Sequence, residues 1–258
     1  KHGIFIEFLV AGDLPIIEEN YFEGNERPIS ALNPNAIFKL NQGLNNQFNG
    51  ILLFGEISQN LTWFKNEIPY IIGEPISAWG SFITLNLGLT LTIEPGVRVE
   101  FGYGTGLDIN GTLIAQGNIE PIIFTAYLNQ AWRGIYFSGA STNSILDNVI
   151  LSYGGYDPQG NRGLVYVRES SIEFKNSTST NSYEAGIYLE NSSSTISNSY
   201  FANNQFGIKI YGERCPQVEN LTFKDNTFKK LYCQPICPDV CGKICSGVDC
   251  SLPNVLCE

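Results

Sequence analysis

Two consecutive segments carry one pattern, offset by roughly 22 residues, a period long enough for each copy to be a structural unit. In GIYLENSSSTISNSYFANNQF (186–206) and GIKIYGERCPQVENLTFKDNTF (207–228), Ile196 falls on Val218, Asn198 on Asn220, Phe201 on Phe223 and Asn203 on Asp225. Upstream, GLVYVRESSIEFKNSTSTNS from Gly163 sets Phe174 and Asn176 at the same distance from Ile196 and Asn198. A looser unit, GIYFSGASTNSILDNVILSYGG from Gly134, keeps the glycine opener and puts Asn148 in the N-x-apolar position, with YGGYDPQGNRG inserted after it. Before it, LTLTIEPGVRVEFG and GLDINGTLIAQGNIEPIIFTA read as two more units with longer turns.

A fixed period of this length marks a solenoid, propeller or array, and the pattern inside the period selects among them. Each unit holds short alternating runs, such as Val97, Val99, Phe101 or Ile187, Leu189, bounded by Gly, Asn, Ser or Pro. Period-2 alternation means strands, whereas i, i+3, i+4 apolar spacing is scarce. Three short strands in every turn of the repeat make an all-β, parallel β-helix. Stacked rungs bring equivalent residues to about 4.8 Å, so Asn148, Asn176, Asn198 and Asn220 are expected to form an amide ladder. Asn181, Asn203 and Asp225 are expected as a second file.

The glycine-opened, Asn-rich rungs resemble the right-handed parallel β-helix of the pectate-lyase-like superfamily. LTIEPGVRVEFG, LDINGTLIAQG, PIIFTA and WRGIYF are similar to the first rungs of many secreted microbial β-helix proteins. The resemblance covers roughly residues 76–228. It implies a right-handed solenoid. In lyases of this kind it also implies a calcium-binding carboxylate cluster with an Arg or Lys base, and in glycosidases closely placed Asp residues.

Three parts are expected. Residues 1–53 do not follow the period and read as an irregular N-terminal β cap or strand-exchange region; 54–228 is the solenoid; 229–258 is a cystine-rich tail. Ile4, Ile6, Phe8 and Val10 in GIFIEFLVAG would be an aggregation hazard if left uncovered, so that run either caps the first rung or adds to a neighbouring subunit. The tail holds six of seven cysteines: Cys233, Cys237, Cys241, Cys245, Cys250 and Cys257. Dense cysteines in a secreted chain favour a disulfide knot. Zinc is the rival reading, but the only histidine, His2, is remote. Six cysteines allow fifteen connectivities, so no pairs follow from spacing. Cys215, in a rung, is left over as a buried thiol, with an inter-chain bridge as its alternative. Pro235, Pro238 and Pro253 exclude a continuous helix there.

Net charge is −10, with 15 Lys and Arg scattered singly. The basic patch that phosphate backbones need is missing, which argues against nucleic acid. No apolar run is long enough for a membrane span, and the start of the chain reads as a mature terminus without a leader. Five N-x-[ST] sequons, at Asn60, Asn110, Asn176, Asn191 and Asn220, suit a secretory setting. The expected location is extracellular or at the cell surface.

The solenoid sequence contains no histidine and no adjacent Asp pair, and its carboxylates are dispersed one or two per rung. Glu100 with Asp108, or Glu169 with Glu190, are the pairs that neighbouring strands could gather around a structural calcium. No other cofactor is expected. Tyr136, Tyr166 and Tyr188 occupy equivalent positions between inward-pointing residues. They are expected to project outward as a flat strip suited to sugar rings, and Lys209 takes the next position and ends it. The sequence therefore favours a non-catalytic structural or adhesive protein that self-associates into a filament or surface layer. Polysaccharide binding is the alternative, and a polysaccharide lyase or glycoside hydrolase the weaker one.

Overall fold

The computed structural model describes residues 1–7, 14–73, 82–141, 143–157, 163–234, 237–244 and 255–257. Three long sheets carry the chain. The ten-stranded sheet runs from His2–Ile6 through Arg27–Ala31, Ile51–Leu53, Tyr70–Ile72, Arg98–Phe101, Ile122–Ala126, Val149–Ser152, Thr178–Thr180 and Tyr200–Ala202 to Thr222–Lys224. The nine-stranded sheet starts at Gly55–Ile57 and includes Phe82–Leu85, Gly106–Ile109, Gly134–Phe137, Val165–Arg168, Ala185–Glu190, Phe206–Tyr211 and Lys229–Gln234. The seven-stranded sheet extends from Leu61–Trp63 to Gln217–Glu219. Pairing between successive rungs is parallel and in register, as at Phe174↔Ile196 and Ile196↔Val218. From Ile51 onward the chain visits each of these sheets once per turn, the arrangement of a parallel β-helix; in the turns before it, Ile16–Glu18 pairs with Ile37–Lys39 and Tyr21–Glu23 with Gln42–Leu44 in two short parallel sheets.

The alternation read from the sequence follows from this winding. In Ile187 and Leu189, in Val99 and Phe101, and in Leu91 and Ile93 the side chains enter the core, while their neighbours face outward. Equivalent aromatic residues stack inside. Phe174 lies 5.9 Å from Phe201, Phe201 lies 5.5 Å from Phe223, and Phe101 stacks on Trp132 at 4.0 Å. Burying each such ring contributes about 1.5–3 kcal/mol, and contact between stacked rings adds about 0.5–1.5 kcal/mol.

The asparagine files have a different basis from the expected amide ladder. Asn148, Asn176, Asn198 and Asn220 all sit in the left-handed region, with φ of 52°, 50°, 49° and 49°. So do Asn181, Asn203 and Asp225 at the next corner, and Glu169 and Asn191 at the third. Each turns the chain from one sheet to the next, and its backbone N–H still reaches the following rung: Asn176 to Ser197 O at 3.1 Å, Asn181 to Ala202 O at 3.2 Å, Asn191 to Tyr211 O at 2.8 Å. Asn tolerates this conformation better than other residues with a side chain. Only one of the expected side-chain rungs is present among the described residues, from Asn220 Nδ2 to Asn198 Oδ1 at 2.8 Å. Asn176 instead reaches the Asp147 carboxylate at 2.8 Å, and Asn148 reaches the Gly117 carbonyl.

The polar files that do stack lie inside the turns. Asn20 N donates to Asn41 Oδ1 at 3.2 Å, and Asn41 N to Asn66 Oδ1 at 2.9 Å. At the other end Ser182 N donates to Asn204 Oδ1 at 2.9 Å and Asn204 N to Asn226 Oδ1 at 3.1 Å. Serine hydroxyls do the same at Ile172 N→Ser194 Oγ and Ser177 N→Ser199 Oγ. These groups satisfy backbone donors that the bend takes off the ladder. The glycine openers have an equally local reason: a Cβ on Gly134 would lie 2.5 Å from the Gly163 carbonyl oxygen, and Gly134 has φ of 121°.

The N-terminal boundary differs from expectation. The described strands of residues 1–53 belong to the solenoid, because Ile29 pairs with Ile4 on one side and Ile51 on the other, and Ile51 pairs onward with Tyr70. The winding from Ile51 to Tyr70 is shorter than the repeat at the other end of the chain, and the winding from Tyr70 to Val99 is longer. Such variation hides the repeat from any reading that assumes a fixed period. His2–Ile6 therefore pairs within its own chain, with Ile4 and Ile6 half-buried against the core. Phe8 and Val10 lie outside the described residues.

The far end also extends beyond the expected limit at 228. Lys229–Gln234 adds a full strand to the nine-stranded sheet, and Val255–Cys257 closes that edge in antiparallel pairing. A short helix, Pro238–Ile244, follows with proline at its start, where the missing N–H costs nothing. Cys215 is not the leftover thiol. It is joined to Cys237, which ties a rung to the tail, while Cys241 is also disulfide-bonded and Cys233 is the buried free cysteine among the described residues. Cys245 and Cys250 lie outside the described residues, as does the Cys257 side chain.

Candidate functional site

The outward face of the nine-stranded sheet carries one file of side chains in register: Thr84, Asp108, Tyr136, Tyr166, Tyr188, Lys209 and Tyr232. The three tyrosines are brought together as their equivalent positions require. Their geometry, however, is not that of a flat strip. Tyr136 and Tyr166 stack with centroids 5.0 Å apart and planes 14° apart, and Tyr188 follows at 5.0 Å and 36°. The rings turn their faces to each other. Tyr166, in the middle, is only 5% exposed. The reason is spacing: rungs one strand apart are too close for planar rings to lie side by side on the sheet, whereas stacking matches the rung distance.

The ends of the stack differ. Beyond Tyr188, Lys209 Nζ lies 4.7 Å from that ring's centroid and 5.8 Å from the Phe206 and Tyr232 rings. It also pairs with Glu184, whose Oε1 it contacts. Burial pushes the Tyr188 hydroxyl up to about 12, with the Glu190 and Glu184 carboxylates adding to the effect. Beneath the stack, Tyr166 donates to Glu190, and Glu190 holds Arg168 at 3.5 Å. The guanidinium of Arg168 is held more firmly charged by Glu190 first, then by the phenols of Tyr166 and Tyr136.

At the other end, Tyr136 opens on a pocket of about 190 Å³. Phe82, Asp108, Arg133, Tyr136, Asp157 and Tyr166 line it. Arg133 lies over the Phe82 ring at 4.7 Å and pairs with Asp157 at 3.4 Å. Asp108 and Asp157 are far apart in sequence and sit on different rungs, so no reading of adjacent carboxylates finds them. The solenoid nevertheless brings the strand that carries Asp108 and the loop that carries Asp157 to one pocket. The pocket thus combines aromatic walls, two carboxylates and a guanidinium, groups that pack against the apolar faces of sugars and exchange hydrogen bonds with their hydroxyls.

A second aromatic row runs along the neighbouring corner, where the chain passes from the ten-stranded to the nine-stranded sheet. Tyr103, Tyr156 and Tyr183 lie there, with centroids 5.9 Å and 5.5 Å apart. Tyr103 and Tyr183 are exposed. These residues occupy loops of unequal length, so the strand period gives no sign of them.

The two carboxylate pairs named for calcium are placed differently. Glu100 stands on the ten-stranded sheet, bound to Arg98 at 2.6 Å, whereas Asp108 stands on the nine-stranded sheet. Glu190 is committed to Arg168 and Tyr166, and its partner Glu169 is tied to it through the backbone. Among the described residues no group of three or more His, Cys, Asp or Glu side chains gathers in a metal-binding arrangement.

No helix among the described residues is long and apolar enough to cross a membrane. Comparison with curated proteins and with solved structures returned no match. The model of the right-handed β-helix region matches residues 92–238, more than half of the chain, so this protein belongs to the right-handed β-helix family.

Proposed function

We propose that this chain is a non-catalytic, carbohydrate-binding β-helix of the cell exterior, an adhesive module that holds a polysaccharide on the outward face of its nine-stranded sheet. The observation that carries the reading is the pocket at the Tyr136 end of the stack, where two aromatic walls meet Asp108 and the Arg133–Asp157 pair. The exposed row of Tyr103 and Tyr183 beside it offers further aromatic surface for a longer ligand. An extracellular setting is supported by the Cys215–Cys237 disulfide, since such bonds persist under oxidising conditions.

The test is retention on polysaccharides. The chain should be slowed in affinity electrophoresis through gels containing its polymer, and Tyr136→Ala and Asp108→Asn should each weaken retention by tenfold or more. Absence of retention on any soluble or insoluble polysaccharide overturns the reading.

A second reading is favoured by one specific feature, the convergence of Asp108 and Asp157 on one pocket. Paired carboxylates are what glycoside cleavage uses. Release of reducing ends or of unsaturated products from the bound polymer, lost in Asp108→Asn and Asp157→Asn, would select it over simple binding. Self-assembly through the N-terminal strand has less support, because that strand is already paired within its chain on one edge.

A further inference from the structure

We propose that the exposed tyrosines at the corner between the ten-stranded and nine-stranded sheets, Tyr153 above all, grip an extended, linear polysaccharide laid along the solenoid axis; the inference rests on the carbohydrate-binding reading above. Backbone conformation makes the first argument. Ser152 pairs with Thr180, Thr180 with Ala202 and Ala202 with Lys224, so Tyr153 holds the corner position that Asn181, Asn203 and Asp225 hold on the next three rungs. It turns the chain in the same way, with φ of 60°. Its N–H donates to Thr180 O at 3.3 Å, as that of Asn181 does to Ala202 O and that of Asn203 to Lys224 O. Left-handed backbone penalises a bulky side chain where it tolerates Asn. Burial does not compensate, because Tyr153 is 47% exposed. A strained residue that neither the turn nor the core requires points to a contact with something outside the chain.

The neighbouring rungs make the second argument. At the same corner Tyr103, Leu128 and Tyr183 are exposed, and Leu128 too is left-handed, with φ of 50°. The planes of Tyr103 and Tyr156 stand 36° apart and those of Tyr156 and Tyr183 63° apart, so this row is turned out of the mutual stacking that joins Tyr136 to Tyr166 at 14°. An exposed tyrosine combines an apolar body with a polar tip, which matches the apolar face and rim hydroxyls of a sugar ring. Reach makes the third. From Gly106–Ile109, the strand after Tyr103, to Ala185–Glu190, the strand after Tyr183, is three steps across the nine-stranded sheet, about 14 Å at the spacing of paired strands. Several linked rings in a row fill that length, and a straight run of contacts fits an extended chain better than a coiled or branched one. The row is continuous with the pocket, because Tyr156 adjoins Asp157 in the chain.

The experiment is affinity electrophoresis of the whole chain through gels containing xylan, hydroxyethylcellulose or glucomannan, whose backbones are extended, and amylose or dextran, whose backbones coil. At least one extended polymer is expected to bind at least tenfold more tightly than amylose or dextran. Its hexasaccharide should release the chain at a concentration at least tenfold below its disaccharide. Tyr153→Asn is expected to weaken retention fivefold or more while melting at or above the temperature of the parent chain, and Tyr153→Phe, which keeps the ring, to be retained as the parent is. Unchanged retention of Tyr153→Asn, a lower melting temperature for it, equal potency of the two lengths, or equal binding of amylose or dextran overturns the proposal and leaves carbohydrate binding at the pocket standing. So does a dimer in sedimentation that Tyr183→Ala dissolves, which would make this corner a contact between two copies of the chain. Failure of every gel to retain the parent overturns the carbohydrate-binding reading itself.

Discussion

Tyr166 donates its phenolic proton to Oε2 of Glu190 one rung further on, and Oε1 of the same carboxylate lies 3.5 Å from Nε of Arg168. The middle ring of the stack, though it also lines the pocket, is thus a structural member, buried and anchored, whereas Tyr136 is the half-buried ring at the pocket end. The two roles separate experimentally. Tyr166→Phe should cost about 1.5–3 kcal/mol, the range for a hydrogen bond to a charged group, and Tyr166→Ala about 3–5 kcal/mol through the cavity it leaves. Tyr136→Ala should reduce ligand retention with a smaller loss of stability. Urea denaturation beside affinity electrophoresis reads both quantities. Equal stability losses at the two positions would contradict the assignment.

Alkaline pH should destabilise the fold in two steps. Burial pushes the Cys233 thiol from 9.0 up to about 12 and the Tyr188 hydroxyl from 10.0 to about 12. Between these ordinary and raised values the unfolded chain releases protons that the folded chain keeps, so the unfolded state binds fewer and stability falls as pH rises. Below the ordinary thiol value both groups are protonated in both states and their contribution is fully present. Thermal melting at pH 8, 10 and 11 should show the decline. Cys233→Ala should flatten the earlier part and Tyr188→Phe the later part. A melting temperature independent of pH up to 11 would refute the burial of both groups.

The turn asparagines make a separate prediction at Asn198. An amide ladder would make its side chain important, because Asn220 Nδ2 donates to it at 2.8 Å. A backbone role makes the conformation important, because φ is 49°. Asn198→Gly keeps the conformation and removes the amide; it should be nearly neutral. Asn198→Ala keeps a Cβ where left-handed backbone penalises it, and should cost about 1–2 kcal/mol. Chemical denaturation of the two variants ranks them, and glycine proving worse than alanine would restore the ladder.

The parallel β-helix is legible where rungs have equal length. From Gly163 to Phe228 the pairings Phe174↔Ile196↔Val218 reproduce the repeat residue by residue. Toward the N-terminus the strands are as regular in space, but turns of unequal length carry the register, so Ile29, Ile51 and Tyr70 share a sheet without sharing a period. The tyrosine file is legible for the same reason as the repeat. Its stacked orientation is not, since side-chain equivalence fixes which rings meet and leaves open how they face. The pocket is hidden altogether: Phe82, Asp108, Arg133 and Asp157 come from different rungs, and proximity across turns leaves no local pattern.

The Cys215–Cys237 bond leads to the last prediction. Counting cysteines in the tail points to a closed knot with Cys215 outside it. The bond instead joins positions 22 apart in sequence, with the two Cα atoms 5.6 Å from each other, and fastens Cys237, just before the short helix, to the loop ahead of Gln217–Glu219. Closing a loop of that length removes enough freedom from the unfolded chain to stabilise the fold by about 3 kcal/mol. The double variant Cys215→Ala/Cys237→Ala should therefore unfold at a lower denaturant concentration. Hydrogen exchange should rise first in Gln217–Glu219 and Lys229–Gln234, the strands that the helix covers. Rungs near Val99 and Phe124 should keep their protection, because each exchanges hydrogen bonds only with its own neighbours. Alkylation of the denatured, unreduced chain should mark Cys233 and spare Cys215. A label on Cys215 would return it to the free thiol that the sequence suggests and remove the tie between rung and tail.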